Sequence, residues 1–373
     1  MNGAKKVIKK GNLKITVPSE NLVLALEERG FCAVLKPSGE TTHLESREIS
    51  DFQELVKNAS VVWIDYIVDD FSKGALKAGL ELGFSEQLLK TMLKNPTSGY
   101  EDLEKEMGIA LPAIVVKEFD VQINPLLILI RENLIVTIHT TEVRRFFRLR
   151  RYAETLMKKL NKVKLKSDKI TLMLIRIVDE NNTRNFDHLK DIEEHGDKLS
   201  ERLVDPKTPR SEIGKDIHEM KHALVIYLNG LWATIDSLNS LRYGDADLIT
   251  DDPKIINRLN GLVSEVHSHI SLAEHLSDVL ASGLEVVQSI YNNQLQILNN
   301  RLALLVAYLT IIGTALLVPN TIATVVGSPM FEFAPKDLSW YIPLLIISTL
   351  VATVLAWIFV KKMGLLPNKP DSE

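Results

Sequence analysis

Six residues fall on one line of an apolar segment near the end of the chain: Thr310, Thr314, Leu317, Thr321, Thr324 and Ser328. At 100° per residue they lie within about 40° of a common direction on a helix, with Gly313, Asn320 and Gly327 along one shoulder. The chemistry they offer is oxygen, in hydroxyls, an amide and backbone carbonyls. If several copies surrounded an axis, the line would become a polar wall with one apolar ring at Leu317. Such a wall suits a cation contacted through its hydration shell, and Mg²⁺ releases its water reluctantly. Residues 302–331 contain no Asp, Glu, Lys, Arg or His, so a proton relay or salt-bridge gate has no side chains to use here. Close helix packing accounts for any single threonine. A full-length stripe beside Asn320 asks for more, because an amide in hydrocarbon needs a partner or water. One copy cannot enclose a pore, so the stripe implies a homo-oligomer.

The elements that must position this line are two uncharged runs, 302–331 and 338–360, joined by EFAPKD. A bilayer core takes roughly 20 apolar residues per helix, so the pair predicts a membrane hairpin. Arg301 precedes the first run and Lys361-Lys362 follow the second, whereas the connection holds one lysine and two acids. The positive flanks place both termini in the cytoplasm. Trp340, Tyr341 and Trp357 sit where aromatic rings favour the interface. The N-terminal stretch lacks the apolar core and cleavage site of a signal peptide. Cys32 is the only cysteine of the 373 residues, which excludes an intrachain disulfide and fits a reducing compartment. With 44 Lys+Arg against 48 Asp+Glu and a net charge of -4, nothing in the balance points to nucleic acid.

Upstream, residues 1–145 alternate β-type runs (LKITV, FCAVLK, SVVWIDYIV, PAIVVKEFDV, LLILIRENLIVTIH) with a helical stretch between Asp69 and Leu103, predicting an α/β domain with a mixed sheet. Gln122, Asn124 and Pro125 are expected to separate the last two runs, and Glu132-Asn133 to form a hairpin turn. The period then becomes helical. One helix is predicted from about Ser167 to Val204, carrying Phe186, Leu189, Ile192, Leu199 and Leu203, and closed by Asp205-Pro206-Lys207-Thr208-Pro209. A second carries Ile213, Ile217, Met220, Leu224, Leu228, Leu231, Ile235 and Leu238. Asp252-Pro253 reads as an N-cap and first-turn proline opening a third helix. From 254 to 318 it would be roughly 90 Å long and would reach the bilayer without a joint.

Asn299-Asn300-Arg301 leading to Leu309-Thr310-Ile311-Ile312-Gly313-Thr314, with WIDYIVDD and NLIVTIH as fainter echoes, resembles the CorA family of divalent-cation transporters, the two-span GxN family. The resemblance covers nearly the whole chain. It implies a homopentamer with a funnel-shaped cytoplasmic body, first spans lining a central pore, and passive flow of Mg²⁺ or a similar metal. At the outer end of the first span the family carries Gly-Met-Asn, and this chain has Gly327-Ser328-Pro329, so only the glycine carries over. Ala303 replaces the stalk asparagine. Lys90-Thr91 replaces an acidic pair that helps form a regulatory metal site between subunits in some members, and that site is not carried over.

Other constellations compete. His218-Glu219-Met220-Lys221-His222 matches the H-E-x-x-H zinc-protease helix, but Met220, Leu224 and Leu228 place it in a packed bundle without a third ligand, so chance explains it better. His267, His269 and His275, with Glu265 and Glu274, read as separate side chains on a solvated face more readily than as a metal site. The acids Asp191, Glu193, Glu194, Asp197 and Glu201, and the loop acids Asp245, Asp247, Asp251 and Asp252, read as solvated surface. The loop acids are also the weak metal candidates, able to hold cations electrostatically near a pore mouth.

The expectation is therefore an α+β cytoplasmic domain (1–145), a long antiparallel helix bundle and stalk (146–301), a first membrane helix (302–328), an outer loop (329–338), a second membrane helix (339–360) and a cytoplasmic tail (361–373). It is a plasma-membrane channel and not an enzyme, lined by Thr310, Thr314, Leu317, Asn320, Thr321, Thr324, Gly327 and Ser328. Its partners are lipid, divalent cations (Mg²⁺ first, then Co²⁺, Ni²⁺ or Zn²⁺) and further copies of itself, with no cofactor and no nucleic acid. The alternative is a membrane-tethered metal sensor or assembly protein that kept the scaffold and does not conduct.

Overall fold

A computed structural model describes residues 29–143, 145–204, 209–243, 246–328 and 334–362. The chain divides into two compact units, Met1–Gly283 and Leu284–Glu373.

The described residues of the first unit form seven strands: β1 (Gly30–Leu35), β2 (Thr41–Ser46), β3 (Val61–Val68), β4 (Gly99–Asp102), β5 (Glu106–Lys117), β6 (Asp120–Arg131) and β7 (Leu134–Thr140). They form one sheet in the order β2-β1-β3-β7-β6-β5-β4, antiparallel except for the β3–β7 pair. That parallel pair sits mid-sheet and needs a long crossover, as parallel pairs do. Helices α2 (Phe71–Glu81) and α3 (Glu86–Lys94) follow the short α1 (Gln53–Lys57). Phe84, Leu88, Leu89 and Met92 share a fully apolar core with Val62, Ile64, Val136, Ile138, Leu127 and Leu129 of the sheet. Asp70 and Ser85 cap α2 and α3 by accepting the N–H groups of Lys73 and Leu88.

The predicted strands that fall on described residues form, with one boundary displaced. PAIVVKEFDV is not a single strand, because the chain reverses at Glu118-Phe119, where Glu118 takes a left-handed φ of 57°. β6 then runs unbroken through Gln122, Asn124 and Pro125. Pro125 is tolerated because it stands opposite Pro112 at a pair that needs no ladder bond from either nitrogen. The Glu132-Asn133 turn joins β6 to β7, and the Asn133 amide donates to the carbonyls of Val56 and Ala59. β2 and β4 carry no apolar signature in the sequence. LKITV lies outside the described residues, as do Asp205, Pro206, Lys207 and Thr208.

The other face of the sheet is covered by α4 (Phe147–Leu160) and the long helices α5 (Lys166–Val204) and α6 (Arg210–Tyr243). Phe146 meets Trp63 edge-on at 6.3 Å. Gly230 lets α6 approach β5, since a Cβ there would lie 2.8 Å from the Ile114 side chain. Helices α5 and α6 are antiparallel: Arg202 pairs with Asp216 at 2.6 Å near one end, and the Tyr227 hydroxyl donates to the Asn185 carbonyl at 2.6 Å farther along. Past the end of β4, the outer edge of β5 has no strand partner among the described residues. Polar side chains take its place. Ser237 donates to the Ala110 carbonyl at 2.8 Å, Asn181 to that of Pro112 at 3.1 Å, and Asn185 accepts the Ile114 N–H at 3.1 Å.

Helix α7 (Pro253–Val326) is one unbroken helix of 74 residues, and the boundary between the two units falls inside it. Asp252 caps it by accepting the Lys254 N–H at 2.9 Å. It includes Pro319. A proline in a helix forfeits one hydrogen bond, here to the Ala315 carbonyl, without ending the helix when the rest of the turn is kept. Helix α8 (Leu338–Lys362) completes the second unit.

Candidate ion pathway

Helix α7 from Leu302 onward and helix α8 are the two described helices long and apolar enough to cross a membrane, with mean hydropathy of 2.3 and 2.4 over their best windows. Within α7 the hydroxyl line keeps one orientation. Thr310, Thr314, Thr321 and Thr324 each donate their proton to the carbonyl four residues back, at 2.8 Å in every case. A hydroxyl that spends its proton this way keeps its remaining lone-pair capacity for acceptance, and can take an O–H group of water. Thr310, Asn320, Thr321, Thr324 and Gly327 are exposed, Thr314 and Ser328 half-buried, and Leu317 is 67 % exposed. The covered side of α7 lies elsewhere, at Ala307 and the half-buried Ile311, Ala315, Val318 and Ile322. Helix α8 differs. Its mid-span hydroxyls, Ser348, Thr349 and Thr353, are half-buried on the face of the buried Ala352, Ala356 and Val360, and each donates to a carbonyl of its own helix.

The helix ends at Val326, and the N–H groups of Gly327 and Ser328 still reach back to Ala323 and Val325. Pro329 lies outside the described residues. On the return side, Asp337 accepts the Ala334 N–H at 3.0 Å and the Trp340 indole N–H at 3.4 Å, fixing the entry to α8. At its far end Lys361 lies over the Trp357 ring at 5.1 Å.

The remaining candidates are dispersed. Asp252 serves as the α7 cap, and Asp245 lies outside the described residues. Among the described residues no group of three or more His, Cys, Asp or Glu could hold a metal ion. His218 and His222 are exposed on α6, Met220 is fully buried, and Glu219 faces Lys215 at 3.5 Å, as a packed helix with a solvated side requires. His269 departs from the solvated-face expectation. It is buried, stacks on Phe186 at 4.4 Å, and burial pushes its imidazole below the ordinary range. His267 and His275 are exposed.

Two buried polar networks escape a reading of the sequence alone. Asp65 on β3 accepts from Thr137 at 2.6 Å, His139 Nε2 at 3.1 Å and Arg150 Nε at 2.7 Å. Burial alone would raise its pKa, but the Arg150 guanidinium and His139 outweigh that and hold the carboxyl far below the carboxylate range. Arg145, fully buried, donates to the Asn181 carbonyl and to the Asn185 side chain, and burial pushes its pKa down to about 9. The signal for the first network is present in WIDYIV and NLIVTIH, where an acid, a threonine and a histidine interrupt apolar strands. The register brings Asp65 opposite Thr137.

A polar α/β body, long helices and a two-helix apolar hairpin define a membrane protein with the architecture of a cation transporter. The chain belongs to the CorA-like Mg2+ transporter family, whose model matches residues 58–362. It shares its fold with the complete CorA magnesium transporter of Methanocaldococcus jannaschii, at 19% identity over 91% of this chain and 99% of that one, with a TM-score of 0.66. The full-length CmaX protein is similar over 90% of this chain and 98% of its own at 15% identity, TM-score 0.54. The ZntB cytoplasmic domain of Vibrio parahaemolyticus covers 70% of this chain and 98% of its own at 11% identity, TM-score 0.52. No curated protein matches the sequence significantly.

Proposed function

We infer that this protein is a channel for hydrated divalent cations, Mg²⁺ first and Co²⁺, Ni²⁺ or Zn²⁺ after it, with several copies of α7 placed around an axis. Five copies and a plasma-membrane setting with both termini in the cytoplasm agree with the family and the flanking charges. The observation that carries the reading is the line Thr310, Thr314, Thr321 and Thr324, whose protons are all spent on their own helix. The lone pairs of those oxygens remain open to accept. The magnesium transport named for the Methanocaldococcus jannaschii structure supports the choice of ion.

Replacing all four threonines by valine keeps shape and removes the lone pairs. Metal uptake into liposomes by the purified protein should fall at least tenfold, about 1.4 kcal/mol in barrier. Undiminished uptake would remove the line from the pathway. A second reading, a non-conducting metal sensor on the same scaffold, is favoured by Gly327-Ser328-Pro329, and absence of uptake from the wild-type protein would select it.

A further inference from the structure

Residues 144–166 hold ten Lys or Arg against a single acid, Glu154, in a chain whose net charge is -4. Some of these cations serve the fold: Arg145 in its buried network, Arg150 on Asp65, and Lys166 on Glu132 at 2.5 Å. Arg151, Lys158, Lys159, Lys162 and Lys164 are exposed and form no ion pair among the described residues. At 100° per residue, Arg148, Arg151, Thr155, Lys158 and Lys159 of α4 fall within about 50° of one direction, opposite the buried Leu149, Ala153, Met157 and Leu160. The helix shows solvent a cationic stripe, followed past its end by Lys162 and Lys164.

Folding does not call for this stripe. Arg148 with Arg151, and Lys158 with Lys162, are like charges at helical neighbour spacing, which costs stability. Lysines in a last turn complement the helix dipole, but that accounts for Lys158 and Lys159 alone. Glu154 stands four residues before Lys158, where it could screen it, yet its carboxylate meets His43 Nδ1 at 2.6 Å instead.

Beside that pair lies a cleft of about 310 Å³ between β2 and the first half of α4, at the lower end of the range for small-molecule sites. Its walls carry aromatic rings, with Arg150 over Phe31 at 5.6 Å and Arg151 over Phe147 at 4.5 Å. Its carboxylates, Glu45 and Glu154, accept hydrogen bonds and repel an anion. Lys158 and Lys159 come one turn beyond Thr155, about 10 Å along the axis from Arg151 to Lys158. Cleft and stripe together fit a ligand that is planar and rich in donors at one end and polyanionic at the other. We propose that this face binds a nucleoside polyphosphate, with base and ribose in the cleft and phosphates along Lys158, Lys159 and Lys162. Inorganic phosphate offers the cleft no ring and no donor, and a flat anionic membrane meets the stripe without filling the recess. The site lies wholly in the first unit and is read by binding, so it stands or falls apart from conduction.

Equilibrium dialysis of the full chain in phosphatidylcholine nanodiscs, without divalent metal, tests it with ATP, adenosine and inorganic triphosphate as probes. ATP should bind saturably and at least about tenfold tighter than either of the others. Added salt should weaken ATP and leave adenosine within about twofold, a readout that needs no variant. The triple change Lys158→Gln, Lys159→Gln, Lys162→Gln, all at exposed positions, should weaken ATP at least about tenfold and adenosine by less than about twofold. Phe147→Ala should weaken both at least about fivefold. No saturable ATP binding, triphosphate binding as tight as ATP, or an unaltered ATP affinity in the triple variant would overturn the proposal. Phosphatidylglycerol vesicles held through the same lysines, with ATP unbound, would give the face to a lipid surface and overturn it equally.

Discussion

The Asn185 side-chain oxygen accepts the Ile114 backbone N–H at 3.1 Å and the Arg145 guanidinium at 2.6 Å, so a single amide on α5 finishes the edge of β5 and helps satisfy a buried cation's demand for acceptors. Asn185→Ala leaves that N–H without a partner, and the loss should be about 1–3 kcal/mol. Thermal unfolding of the detergent-solubilised protein would read it as a lowered Tm. An unchanged Tm would mean that water takes the amide's place.

Asp65 predicts an acid-sensitive core. Its folded pKa lies below the unfolded value of about 3.9, so the stabilisation is fully present above that pH and is lost as pH falls through the folded value. Asp65→Asn leaves the Arg150 charge half-buried without its partner and should cost about 3–5 kcal/mol at pH 7. The variant should also show a flatter decline of Tm below about pH 4 than wild type. Parallel declines would place the acid sensitivity elsewhere.

The apolar ring expected at Leu317 predicts a leak. Leu317→Ala should raise resting divalent flux into liposomes, and raising divalent metal on the cytoplasmic side should lower flux in the wild-type protein, because a ligand shifts a gate only by binding its states differently. Flux indifferent to both would make the ring passive.

The His218–His222 motif predicts nothing catalytic. Glu219→Ala should leave metal uptake within roughly twofold of wild type, since the residue only faces Lys215 at the helix surface. A large loss would revive the motif as a functional site.

Period and breakers act locally, which is why the helices from Lys166, Arg210 and Pro253, the hairpin turn at Asn133 and both apolar spans are legible in the sequence. β2, with the polar string TTHLES, is not legible, because its pairing with β1 is set by tertiary contacts. The reversal at Glu118 escapes a local reading because Pro125 looks like the stronger breaker, and only the facing Pro112 makes it harmless. The hydroxyl line is legible as spacing, whereas the direction of its protons requires the i–4 carbonyls of the folded helix. The buried partners of Asp65 and Arg145 come from sequence separations of 31 to 85 residues, beyond any local pattern.

The mouth of the pathway bears on selectivity. Pro329 lacks both a backbone N–H and a side-chain acceptor, so on the proposed pathway Gly327-Ser328-Pro329 would make a weaker sorting ring than the amide of the family motif. The double change Ser328→Met, Pro329→Asn should raise the preference for Mg²⁺ over Co²⁺ and Ni²⁺. An unchanged preference would assign the sorting to Asn320 and the threonines.

Conduction itself is tested most directly by reconstituting the purified full chain in liposomes loaded with a metal-sensitive dye and adding Mg²⁺, Co²⁺ or Ni²⁺ outside. The account predicts uptake of all three above protein-free vesicles, with Mg²⁺ favoured by less than about tenfold. No uptake of any of them by correctly inserted oligomer would contradict it.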